Sequence, residues 1–224
     1  RYWLSFIILI ILLGVLVFWN INSGSIPISL QDVFRIIFLR DGTETAYNII
    51  WEIRLPRILA AVILGGALSV SGFLLQTFFG NPIAGPFVLG ISSGAKLIVA
   101  LTMIFLLGKS IVATSGVMII AAFTGSMISM GFVLLVAKKV HNMSMLVISG
   151  VMIGYICSAI TDFVVTFADD SNIVNLHNWS MGSFSGMSWE NVRTMAIVCG
   201  AALVLVFFLS KPIRAYQLGE VYAQ

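Results

Sequence analysis

The sequence predicts an all-α protein, a polytopic bundle of transmembrane helices, and three observations predict it. Of the 224 residues, 59% are hydrophobic and only 9% charged, too few polar side chains to clothe a water-soluble domain. The apolar residues gather in runs of about 20, the length a helix needs to cross a hydrocarbon core about 30 Å thick. Polar and glycine-rich breaks separate the runs, and about six are present. The expected organisation is a single transmembrane domain over 1–224.

The first run, 3–21, has no small-residue cleavage site and reads as a retained helix rather than a secretory leader. Because the chain begins at Arg1 and not at Met, its N-terminal end is expected to have been trimmed. In the polar stretch that follows, Ser29 precedes Leu30, Val33, Phe34, Ile37 and Phe38 at helical spacing, with Asp32 in the first turn. That pattern predicts a capped amphipathic helix at a membrane surface. The second run, 58–79, stops at Gly80-Asn81-Pro82. A shorter third covers 89–107, a fourth 111–136 and a fifth 146–168. Residues 169–189 are polar but carry Ile173, Leu176, Trp179, Met181 and Phe184, which predicts a second short surface helix. Ser188 and Glu190 look like the cap of a sixth run, 192–209, after which come Lys211, Pro212 and Arg214.

Charge excludes more than it assigns. The formal net charge is +3, from 12 basic and 9 acidic residues. The basic ones are scattered, so a nucleic-acid partner is not expected. The positive-inside count is nearly balanced: an inner N-terminus groups Arg1 with Lys138, Lys139, Lys211 and Arg214, and sets Arg35, Arg40, Arg54, Arg57, Lys109 and Arg193 opposite. There is no glycine-rich phosphate loop with its Lys and Ser/Thr, no His/Cys set at metal spacing and no Ser/His/Asp set. The expectation is therefore a non-enzyme with no catalytic residues, no cofactor and no metal. Cys157 and Cys199 lie inside apolar runs as small hydrophobes.

The informative polar residues lie within or beside the membrane runs. Gly65, Ser69, Gly72 and Gln76 make one stripe of small and polar residues, and Gly150, Gly154, Ser158, Asp162 and Thr166 make another at steps of four. Close helix packing is the first reading of both stripes, and the lining of a transport path the second. An ionisable Asp162 inside a span costs about 2.5–3.5 kcal/mol on insertion scales, so it should face protein or water. Just before the second run, Arg54-Leu55-Pro56-Arg57 sets two guanidinium groups three residues apart. If helical, with Pro56 in a first turn, they form a paired positive fork at the membrane edge, for lipid phosphate or for carboxylates.

Taken together, these strings resemble one family. Arg54-Leu55-Pro56-Arg57, Leu68-Ser69-Val70-Ser71-Gly72 with Gln76, Asn81-Pro82-Ile83-Ala84-Gly85-Pro86 and Leu89-Gly90-Ile91-Ser92-Ser93-Gly94-Ala95 occur in the order and spacing of the FecCD-like permease family of iron-siderophore, haem and cobalamin ABC importers. Ser149-Gly150-Val151, Trp179-Ser180-Met181-Gly182-Ser183 and Leu218-Gly219-Glu220 continue the likeness. The resemblance implies a bundle of about ten helices per subunit, so this chain would stop short of the later ones. It implies a multi-pass protein of the bacterial cytoplasmic (inner) membrane, with its N-terminus inside. The implied partners are a second permease subunit (homodimer or heterodimer), cytoplasmic ATPase subunits, an extracytoplasmic substrate-binding protein and the lipid bilayer. Residue by residue, it implies that Arg54 and Arg57 receive acidic residues of the binding protein. Asn81, Ile83, Met143 and Ser144 match the positions that close the cytoplasmic gate, although Met143 is larger than the small hydroxyl residue expected there. Leu218, Gly219 and Glu220 open the segment that docks in the ATPase, and Ser158 and Asp162 are candidates for lining the pathway. The stretch 86–93 looks closest to ferric siderophore importers, with haem and cobalamin as alternatives and an ion-coupled secondary transporter as a reading from another class.

Overall fold

The computed structural model describes residues 2–24, 26, 28–40, 42–82, 85, 89–107, 115–139 and 143–217, excepting the side chains of residues 106, 107, 115, 137, 143 and 144. Among the described residues the secondary structure is helical, with no strand. Among the described residues, five helices are long and apolar enough to cross a membrane. The chain folds as two compact units, Arg1–Ala67 with Phe184–Val206, and Leu68–Ser183 with Phe207–Gln224.

In the first unit, α1 (Tyr2–Asn22) is the first span. The surface helix expected after it is α2 (Leu30–Phe34), which widens into a π turn over Arg35–Leu39. Its cap is the predicted one: Ser29 Oγ accepts from the Asp32 backbone N–H at 3.1 Å and donates to Asp32 Oδ2 at 2.6 Å. α3 (Glu44–Asn48) is capped in the same way by Thr43 and runs through a second π turn, Ile49–Arg54, into α4 (Leu55–Phe79). Ile21, Ile28, Val33, Ile36, Ile50 and Ile58 form the buried cluster that holds these pieces together.

The sequence places the start of the second span near residue 58, with Pro56 in its first turn. Pro56 does stand in the first turn of α4, and the helical rod around it runs unbroken over 36 residues, Glu44–Phe79. At about 1.5 Å per residue it is roughly 54 Å long, well beyond a hydrocarbon core about 30 Å thick. Its N-terminal end carries the polar residues Glu44, Asn48 and Glu52. Proline is tolerated inside the rod because the π turn ahead of it lengthens the hydrogen-bond step. The Leu55 N–H reaches the Ile50 carbonyl. The next bond in that register would need an N–H on Pro56, and its absence leaves the Trp51 carbonyl orphaned. The indole of Trp189, at the start of α9 (Trp189–Phe208), fills the gap by donating Nε1–H to Trp51 O at 2.8 Å. Around Trp51 stand Tyr47 and Trp189, with ring centroids 6.1 and 6.0 Å away, and the Arg40 guanidinium, 5.5 Å from the indole centroid. Ser188 caps α9 as predicted, accepting from the Asn191 N–H at 3.3 Å.

The second unit is organised around α5 (Ile91–Thr102, prolonged by a π turn over Met103–Leu107), which packs on both α6 (Ser115–Ala137) and α7 (Met143–Val165). α5 is the third apolar run, and it is shorter than a full crossing. Glycines set the closeness of its contacts. A Cβ on Gly94 would lie 2.6 Å from the Gly125 carbonyl of α6. Gly90, at φ 70°, precedes α5 in the left-handed region, where a side chain is strained, and a Cβ there would lie 2.6 Å from the Gly150 carbonyl of α7. Beside these seats Phe79, Leu89, Val133 and Leu146 form one buried cluster, and Val99, Ala100, Met103, Ala121 and Leu176 another. Leu176 comes from α8 (Asp170–Met181), the second predicted surface helix. α10 (Ser210–Gln217) closes the described chain.

Candidate functional site

The two arginines expected to form a fork have different surroundings. Arg54 is only 8% exposed. Its Nη1 donates to the Ile21 carbonyl at 2.5 Å and its Nη2 to the Ile26 carbonyl at 2.7 Å. A guanidinium offers five donors in a rigid plane, which suits it to gathering the unpaired carbonyls of a chain leaving a helix. Gly24 is part of this seat, since any side chain there would strike the Arg54 guanidinium. Arg57, one turn further along α4, is half-buried. Its Nε is shielded from solvent and has no hydrogen-bond partner among the described residues. It stands with Asn20, Ser23 and Phe184 in a cleft of about 740 Å³ whose remaining walls are apolar. Of the pair, Arg54 is the one tied to backbone carbonyls.

The stripe on α7 divides along its length. Gly150 and Gly154 lie against Leu89 and Gly90, where a Cβ would come within 2.9 Å and 3.2 Å of backbone atoms. The packing reading holds for that half. Further on, Ser158 and Asp162 are exposed, while Cys157 and Thr161 on the neighbouring face are buried. Thr161 Oγ1 donates back to the Cys157 carbonyl at 2.8 Å. Asp162 thus presents its carboxylate on an open face of the unit and not within its core. The stripe on α4 is different again, because a Cβ at Gly65 or Gly72 would find nothing within 4 Å.

α4 ends in a Schellman motif. The Asn81 N–H bonds to the Gln76 carbonyl at 3.2 Å and the Gly80 N–H to the Thr77 carbonyl at 3.3 Å, with Gly80 in the left-handed region at φ 56°. This cap places Asn81 rigidly on the end of α4. The last turn of α10 lies against the same end. Tyr216 Oη donates to the Phe78 carbonyl at 3.3 Å, and Gln217 Nε2 to Thr77 Oγ1 at 3.2 Å. Of the other expected residues, Met143 and Ser144 open α7, and their side chains lie outside the described residues, as do Ile83, Leu218, Gly219 and Glu220.

Comparison with known proteins bears on the family and the fold. Residues 10–224 match the model of the FecCD transport family. The chain belongs to that family. Among its relatives, a vitamin B12 import system permease protein of Klebsiella pneumoniae is 39% identical over 176 residues, 78% of this chain and 52% of that protein. A hemin transport system permease protein of Yersinia pestis is 30% identical over 213 residues, 95% of this chain and 63% of its own length. The chain therefore spans about half to two thirds of these FecCD relatives. A solved inward-facing conformation of a metal-chelate type ABC transporter superposes with a TM-score of 0.77 at 22% identity, covering 96% of this chain and 65% of that one. That likeness establishes the fold.

Reading the sequence alone missed the separate fates of Arg54 and Arg57, the Trp51–Trp189 bond and the contact of Tyr216 and Gln217 with α4. Pro56 was a signal for the second of these, because a proline inside a helix orphans a carbonyl that some donor must satisfy. Nothing local marks the third, whose partners are 138 and 140 residues apart.

Proposed function

We propose that this chain is the translocation subunit of a binding-protein-dependent ABC importer in the bacterial inner membrane, a single permease domain that passes a chelated metal between two permease subunits. The observation that carries the reading is the match of residues 10–224 to the FecCD transport family. ATP hydrolysis belongs to separate cytoplasmic subunits, and substrate capture to a protein outside.

The geometry suggests how these roles divide. Arg54 holds the loop after α1 in shape, and the half-buried Arg57, whose Nε is enclosed in the cleft, offers its terminal guanidinium nitrogens to a carboxylate of the binding protein in a charge-assisted pair. Ser158 and Asp162 face the pathway from α7. Asn81 and Ile83, with Met143 and Ser144 at the start of α7, close its cytoplasmic mouth, and Leu218, Gly219 and Glu220 meet the ATPase. The cargo we favour is a ferric siderophore, on the stretch 86–93. Cobalamin and haem are the second reading, favoured by relatives named for vitamin B12 and hemin transport.

The experiment is uptake of labelled ferric siderophores, cobalamin and haem into proteoliposomes holding the full-length permease, its ATPase and its binding protein. Uptake of one class that needs both ATP and binding protein is the expected result and names the cargo. Uptake without ATP would instead favour an ion-coupled carrier built on Asp162. In the same assembly, Arg57→Glu should weaken binding-protein docking by about 2 kcal/mol or more at low salt, and unchanged docking would remove Arg57 from that role.

A further inference from the structure

The end of α4 has two attachments that neither the family likeness nor the proposed roles explain. A helix leaves its last four carbonyls without N–H partners. At α4 these belong to Gln76, Thr77, Phe78 and Phe79. The Schellman motif satisfies the first two through Asn81 and Gly80. The third, Phe78 O, is satisfied from α10 by the Tyr216 hydroxyl at 3.3 Å. The Tyr216 ring also stacks on Phe78, with centroids 6.2 Å apart and planes 11° from parallel, and Gln217 binds Thr77 at 3.2 Å. Behind this turn, Phe79 is 2% exposed within the cluster of Leu89, Val133 and Leu146. Tyr216 thus extends the cap of α4 to a third carbonyl, Gln217 ties α10 to the Thr77 side chain, and the Schellman bond places Asn81.

We infer that Tyr216 and Gln217 are positioning residues that join α10 to the end of α4 as one rigid piece, so that a displacement of the chain just after residue 217 is delivered to Asn81. The inference rests on the reading above, in which residues 218–220 meet the ATPase and Asn81 stands at the gate. A coupling device needs a stiff path, because a flexible joint would absorb a rigid-body displacement before it reached the gate. Here the path is short. One hydroxyl bond, one ring stack and one amide bond link α10 to a helix end whose cap already holds Asn81. Movement of α10 then turns the last turn of α4 with it.

The test uses the full-length permease with its ATPase and binding protein in proteoliposomes, reading uptake and ATP hydrolysis together. In the double variant Tyr216→Ala with Gln217→Ala, uptake per ATP hydrolysed should fall about tenfold while the hydrolysis rate stays within about twofold of wild type. A purely structural role would instead lower assembly, hydrolysis and uptake together. In an otherwise cysteine-free background, Thr77→Cys with Gln217→Cys, joined by a short bifunctional thiol reagent, should keep wild-type uptake per ATP, since the joined parts move as one. Full coupling in the double alanine variant, or abolition of uptake by the cross-link, overturns the inference. Failure of wild type to take up any substrate with ATP would sink the importer reading itself and is seen separately.

Discussion

The stripes of small residues on α4 and α7 look alike in sequence and are unlike in structure. On α7, Gly150 and Gly154 are filled by the backbone of Leu89 and Gly90, so glycine is required there to let two helices approach. On α4, a Cβ at Gly65 or Gly72 would meet open space. Small residues at helical spacing therefore announce that something comes close, but they do not say what. On α7 the something is α5. On α4 nothing among the described residues comes within 4 Å of a Cβ at Gly65 or Gly72.

Substitutions can break or sharpen this contrast, each read as thermal stability of the full-length permease in detergent. Gly90→Ala should do most damage, about 3 kcal/mol or more, since it adds a side chain at φ 70° against the Gly150 carbonyl. Gly150→Ala, with ordinary helical φ but a Cβ within 2.9 Å of Leu89 Cα, should cost about 1–3 kcal/mol. If both are silent, the α5–α7 contact is looser than described. Asp162→Asn, at the open end of the same stripe, should shift stability by less than about 1 kcal/mol and leave ATP-dependent uptake largely intact. Loss of uptake with normal assembly would make the carboxylate part of the transport chemistry. Gly72→Ala should be neutral or stabilising by up to about 1 kcal/mol, from helix propensity alone. If instead it weakens only the assembled importer, a partner is seated on α4.

How much of this was legible in the sequence follows from the range of the interactions concerned. Five of the six apolar runs become helices long enough to span, the third being shorter; these, the Ser29 and Ser188 caps and the short helix at Asp170–Met181 follow from periodicity and from donors three residues apart. α4 begins at Leu55 with Pro56 in its first turn, as the sequence suggests; what the sequence does not show is that a π turn joins it to α3 and that a distant indole takes the freed carbonyl. The arginine pair was visible as charge, yet its division was not. Nothing in Arg54-Leu55-Pro56-Arg57 says that Ile21 and Ile26 will present carbonyls to the first and leave Nε of the second bare.

The indole that satisfies Trp51 has a consequence for how the chain is made. Trp189 lies 138 residues after Trp51, and Tyr216 lies 138 residues after Phe78. A ribosome adding roughly 5–20 residues per second delivers these donors about 7–28 seconds after their acceptors. During that interval α4 is already synthesised, with an orphaned carbonyl near each end and an uncovered stripe between. The nascent helix must wait where water or an insertase can supply the missing donors.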